Sequence, residues 1–85
     1  TMETRIALLA ILVENEESVE ALNDILHQYR RYIIGRMGIP YREKQVNIMS
    51  IAVDAPQDVI SAMSGKIGKL YGVCSKTAYT GGSHG

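Results

Sequence analysis

The residues best suited to hold a ligand fall in one run, Gly35-Arg36-Met37-Gly38-Ile39-Pro40-Tyr41-Arg42. A guanidinium presents a planar fork of donors that matches a carboxylate or a phosphate, so Arg36 or Arg42 could bind a small anion. Gly35 and Gly38, flanking Arg36 and Met37, would let a ligand or a second backbone approach closely. The same run also fits a bulged edge strand and its turn, a purely structural role. Elsewhere the chemistry thins out. The histidines are His27 and His84, and His27 reads as a surface residue near a helix end. A metal site needs several convergent imidazole, thiolate or carboxylate ligands, and one chain supplies too few, so no metal and no cofactor are expected. Ser50, Ser61, Ser64 and Ser75 have no histidine near them in sequence, so no catalytic residue is assigned. Asp54 and Asp58 read as helix-start acids, and Met37, Met49 and Met63 as core filler. Cys74 reads as a small hydrophobe, buried or at a sheet edge.

Nine Lys and Arg balance nine Asp and Glu, for a net charge of zero. A free-standing nucleic-acid binder usually carries a basic excess, and this chain has none. The charges are segregated all the same. Glu14, Glu16, Glu17, Glu20 and Asp24 come early, and Arg30, Arg31, Arg36, Arg42 and Lys44 cluster mid-chain. That pattern suits helix ends and solvated strand edges, with DNA or an acidic partner as the alternative use of the basic stretch. The 85 residues amount to one domain with a thin core, expected over residues 1–80 with 81–85 as a flexible tail. Phe and Trp are absent, so the 46% apolar content must build that core from Ile, Val, Leu, Ala and Met, with Tyr in support. A lone cysteine excludes an internal disulfide and suits a reducing compartment. The longest apolar run, Ile6 to Val13, is too short to span a bilayer, so the expected location is cytoplasmic, with no membrane contact.

The elements that must position these residues follow from periodicity. Arg5 to Val13 is short and almost wholly apolar, which reads as a strand buried on both faces. Asn15 is a candidate helix cap, followed by a stripe of Val19, Leu22, Ile25, Leu26 and Tyr29 at helical spacing. Tyr32 to Tyr41 reads as a second strand, and Pro40 restricts it to an edge of the sheet. Tyr41 to Gln45 is a polar connection, and Val46 to Val53 a third strand. Asp54 is the candidate cap of a second helix, with Pro56 in its first turn and Val59, Ile60, Met63 and Ile67 as its stripe. Val73 to Tyr79 is the fourth strand. The order β-α-β-β-α-β is the split βαβ, ferredoxin-like arrangement, an α+β fold with both helices on one face of a four-stranded antiparallel sheet.

Two helices cover only one side of such a sheet. The strands should then alternate apolar and polar residues, and these do not. The first strand offers Ile6, Leu8, Ala10 and Leu12 on one side and Ala7, Leu9, Ile11 and Val13 on the other; the third offers Val46, Ile48, Ser50 and Ala52 against Asn47, Met49, Ile51 and Val53. An exposed patch of that kind is a solubility liability unless something covers it. A homo-oligomer is therefore expected, with the smaller-residue register (Ile6, Leu8, Ala10, Leu12, Val46, Ile48, Ser50, Ala52) as its interface.

The run Tyr32 to Lys44, the stretch Asp54 to Gly68 and the Lys76-Thr77-Ala78-Tyr79 segment together resemble the iron-only hydrogenase system regulator family, over about Arg5 to Tyr79. Arg-Met-Gly-Ile-Pro-Tyr, residues 36–41, is the specific part of the match. The resemblance implies a fold similar to ACT domains and to the C-terminal domain of nickel-responsive regulators, relatives that form dimers or tetramers and bind small ligands at subunit interfaces. By fold analogy a small-molecule effector would lie near Glu14 and Asn15, with Gly35, Arg36, Met37, Gly38 and Arg42. A hydrogenase-maturation protein is the partner the resemblance suggests. The histidine-rich ligand set of the nickel regulators is missing, so nickel binding does not carry over. No DNA-binding segment accompanies the domain in this sequence, so control of transcription would need a partner.

Overall fold

The computed structural model describes residues 3–80; the expected tail at 81–85 lies outside them. The elements are β1 (Arg5–Val13), α1 (Ser18–Gln28), β2 (Ile33–Tyr41), β3 (Val46–Ala55), α2 (Gln57–Gly68) and β4 (Val73–Tyr79), with single 3-10 turns at Arg30–Tyr32 and Arg42–Lys44. The strands form one antiparallel sheet in the order β2-β3-β1-β4. The ferredoxin-like βαββαβ arrangement is thus the fold. β2 is an edge strand, as Pro40 requires.

Alternation in β1 sorts the two sides. Ala7, Leu9, Ile11 and Val13 are buried and join Ile51, Val53 and Ala55 of β3, Leu22 and Leu26 of α1, and Ile60, Met63 and Ile67 of α2 in one core. Both helices therefore lie on the same side. The intervening β1 residues Ile6, Leu8 and Leu12 remain exposed to solvent in the single chain.

Local details depart from the sequence reading in instructive ways. Asn15 acts two residues ahead of the N-cap Glu17: its Oδ1 accepts the Glu17 amide at 3.0 Å and its carbonyl accepts the Ser18 amide at 3.0 Å. Asp54 does not cap α2. It stays in β3 opposite Ile6, and Pro56 occupies the N-cap position, with its carbonyl accepting the Ile60 amide. The strand runs on because Ala55 still fits the core, which leaves the turn to proline. Met63 is buried and Met49 half-buried, but Met37 is 60% exposed, because its strand turns it away from the helices.

The expected bulge is real, but only Gly35 belongs to it. Ile33 faces Val53 and Gly35 faces Ala52, so two steps along β2 match one along β3. Gly38 lies in regular pairing with Met49. Counting by twos from Ile33 would send Met37 and Ile39 under α1 and Arg36 to the opposite side. The bulge inverts this parity, so Arg36 faces the helix side opposite Ile51, and Met37, Ile39 and Tyr41 face the open side.

The β1–α1 and α2–β4 loops are tied together. The Glu14 amide donates to the Gly72 carbonyl at 2.7 Å, and the buried Ser18 hydroxyl donates to the Tyr71 carbonyl at 2.6 Å. On the helix side of β4, the buried hydroxyls of Ser75 and Thr77 have no hydrogen-bond partner. An unpaired buried hydroxyl is destabilising, and valine has nearly the shape of threonine. Thr77→Val is therefore expected to raise stability by about 1 kcal/mol in urea denaturation.

Candidate functional site

Three surfaces collect the residues of interest. The first is the open side of the sheet. Its cross-strand rows are Ile39-Ile48-Leu12-Cys74, Met37-Ser50-Ala10-Lys76 and Gly35-Ala52-Leu8-Ala78. Every residue expected at the oligomer interface lies on this side, and Cys74 is exposed there on the β4 edge. Among the described residues, Asp54 and Lys76 are the only charged strand residues that the register places on it, and they have opposite signs. Leu12 at 44% and Ile39 at 50% exposure illustrate how much apolar surface the single chain leaves bare.

The second surface is a cleft of about 640 Å³ where β1 leaves the sheet beside the β2–β3 connection. It is lined by Glu14, Asn15 and Glu16 from one side and by Tyr41, Arg42, Gln45 and Asn47 from the other, with Val13, Pro40 and Val46 between them. Gln45 closes the 3-10 turn in the left-handed region, at φ 55°, and is the only non-glycine residue with positive φ among the described residues. Its amide donates to the Arg42 carbonyl at 3.1 Å. Tyr41 and Val46 belong to the open side of the sheet, so the cleft is continuous with it.

The third is a smaller recess of about 330 Å³ between the end of α1 and β2, lined by Asn23, Leu26, His27, Arg30, Ile33 and Arg36. Arg36 Nη2 donates to Asn23 Oδ1 at 3.3 Å, and Arg30 Nη1 donates to the His27 carbonyl at 2.9 Å.

The residues proposed from sequence for ligand binding thus divide. Glu14, Asn15 and Arg42 come together in the large cleft. Arg36 lies in the small recess, Gly35 and Met37 lie on the open face, and Gly38 sits under β3's Met49 on the helix side. Gln45 and Asn47 of the cleft were not singled out from sequence, although the short turn after Pro40 necessarily brings Asn47 opposite it. Asn23, His27 and Arg30 were also missed as a group. The i, i+4 spacing of Asn23 and His27 beside the apolar stripe is the signal that would have found the helical pair, with Arg30 following in the turn after the helix.

Among the described residues no group of three His, Cys, Asp or Glu side chains is placed to hold a metal ion. No helix among them is long and apolar enough to cross a membrane.

A four-stranded antiparallel sheet backed by two helices in this order defines the ACT-like class of α+β modules, and the comparisons narrow it. Residues 5–77 match the family model described as "TM1266-like: Iron-only hydrogenase system regulator, putative", and the chain belongs to that family. It is similar to the solved structure of uncharacterized protein TM1266 from Thermotoga maritima, with a TM-score of 0.88 and 34% identity over 92% of this chain and 99% of that one. A formyltetrahydrofolate deformylase from Pseudomonas putida KT2440 shares the fold, with a TM-score of 0.57 and 14% identity over 89% of this chain and 28% of that one. No curated protein sequence matches. The family's description is that of a regulator and not of an enzyme.

Proposed function

We propose that this chain is a homo-oligomeric regulatory module of the iron-only hydrogenase system, paired through the open face of its sheet and carrying an effector cleft at the edge of that pairing. The observation that carries the reading is the uncovered apolar face. Ile6, Leu8, Leu12, Met37, Ile39 and Ile48 share it, and both helices are already committed to the other side. A second copy is the occupant that fits. With one lysine and one aspartate among the strand residues there, the face is neutral and does not repel itself. Ala10, Ser50 and Ala52 at its middle let a second sheet approach closely.

The cleft supplies the regulatory half. Glu14, Asn15, Arg42, Gln45 and Asn47 offer donors and acceptors for a small polar ligand, and Tyr41 and Val46 join the cleft to the pairing face. The strained Gln45 backbone on the cleft wall is the kind of feature that functional sites retain. A ligand bound there would act by favouring one assembly state over another. A hydrogenase-maturation protein is the partner class in keeping with the family.

Light scattering at micromolar concentration tests the pairing. The native chain is expected to run as a dimer or tetramer. Leu12→Glu, which places a carboxylate opposite Ile48, is expected to weaken association by about 100-fold or more, because a buried unpaired charge is costly. The variant should keep its fold, since Leu12 is exposed in the single chain. A native chain that stays monomeric overturns the proposal.

A further inference from the structure

We infer that the recess between the end of α1 and β2 binds a small phosphate, free or as the phosphoryl group of a metabolite. This site is separate from the open face and from the cleft at the β2–β3 connection, and does not depend on either. Two guanidiniums, Arg30 and Arg36, and one imidazole, His27, line it, and no carboxylate among the described residues does. Three other cations of the chain rest against aromatic rings: Arg5 over Tyr79, Arg31 over Tyr32 and Lys66 over Tyr29. Arg30 and Arg36 instead hold only neutral oxygens. Arg36 makes one bond, at 3.3 Å, to an amide, and Arg30 makes one to a helix-end carbonyl, which leaves most donors of both forks uncommitted.

The backbone aims Arg36 at this place. Regular alternation from Ile33 would turn it to the open face, and the bulge at Ile33–Gly35 turns it toward α1. Asn23 and His27, one turn apart on α1, line the recess, and Arg30 joins them from the 3-10 turn that follows the helix. The floor is buried Leu26 and half-buried Ile33, so bonds made above it are less screened than on a fully wetted surface. Two forked guanidiniums and an imidazole lining one recess over an apolar floor suit a compact dianion. The recess, about 330 Å³, admits a phosphoryl group and a few further atoms.

The test is a titration of the isotope-labelled full chain with inorganic phosphate and, separately, glycerol phosphate, followed by amide NMR at constant ionic strength. Saturable shifts confined to Asn23, His27, Arg30 and Arg36 are expected, with both probes. Arg36→Gln should weaken binding about tenfold or more, and Arg30→Gln should weaken it as well. Both arginines are exposed, and the untouched remainder of each variant's spectrum reports that it is folded. Binding of glycerol phosphate at least as tightly as phosphate identifies an esterified source, and tighter binding of inorganic phosphate identifies the free ion. Shifts that never saturate, that chloride reproduces, or that survive Arg36→Gln overturn the site. So does a preference for duplex DNA that moves all the mid-chain arginines together.

Discussion

Gly72→Ala is expected to destabilise the fold by about 2–5 kcal/mol, read as a lowered midpoint in urea denaturation. Two costs add. Gly72 has φ +70°, a left-handed conformation in which a β-carbon costs roughly 1–2 kcal/mol. That β-carbon would also lie 2.7 Å from Asn15 Cβ and 3.1 Å from Asn15 N, and the backbone cannot step aside, because the Glu14 amide is bonded to the Gly72 carbonyl at 2.7 Å. Relief of such crowding typically costs a further 1–3 kcal/mol. The two parts can be separated. Asn15→Gly in the Gly72→Ala background should recover part of the crowding cost and none of the dihedral cost, so the pair should be non-additive in a double-mutant cycle. Additivity would show that the contact between the loops carries no energy.

The second large effect is Leu9→Ala, expected to cost roughly 2–5 kcal/mol. Leu9 is fully buried, on the central strand, between Ile51 and Thr77 and under both helices. A core of this size supplies only about 3–5 kcal/mol in total, so the variant should be largely unfolded near room temperature unless association supports it. Its neighbour is the control. Leu8→Ala, one residue away and on the opposite side, should cost less than about 1 kcal/mol in the isolated chain. In a paired sheet its effect should grow with protein concentration, because the truncated side chain is then buried by a second copy. Equal costs for Leu8 and Leu9 at all concentrations would contradict the assignment of the two faces.

The element order was legible in the sequence because most elements carry a clear signature: apolar runs in β1 and β3, and 3.6-residue stripes in α1 and α2. Pro40 correctly put β2 at an edge, and the two-sided apolar character of β1 pointed to the face the helices leave open. What could not be read was parity inside β2. Ile33 to Tyr41 is apolar at most positions, so no alternation marks which side each residue takes, and the bulge that decides it leaves only a glycine as its trace. This is why the sequence reads Met37 as core filler and groups Arg36 with Arg42, although the two line different recesses. The Asp54 cap failed for a related reason. Asp-Ala-Pro is a good helix start by local preference, but Ala55 has a place in the core and keeps the strand going.

The bulge also sets what kinds of change this protein can absorb. Substitutions in the stretch from Ile33 to Arg36 alter one side chain at a time. Ile34 is the extra residue of the bulge, so losing one residue there would straighten β2 and leave every later side chain on its present side, whereas gaining one would exchange them all between the two sides. Arg36 would then be driven into the greasy face, while Met37 and Ile39 would be pressed beneath α1. Loops elsewhere can lengthen or shorten by a residue at small cost, whereas this stretch can lose its extra residue but cannot take a further one without turning the strand over.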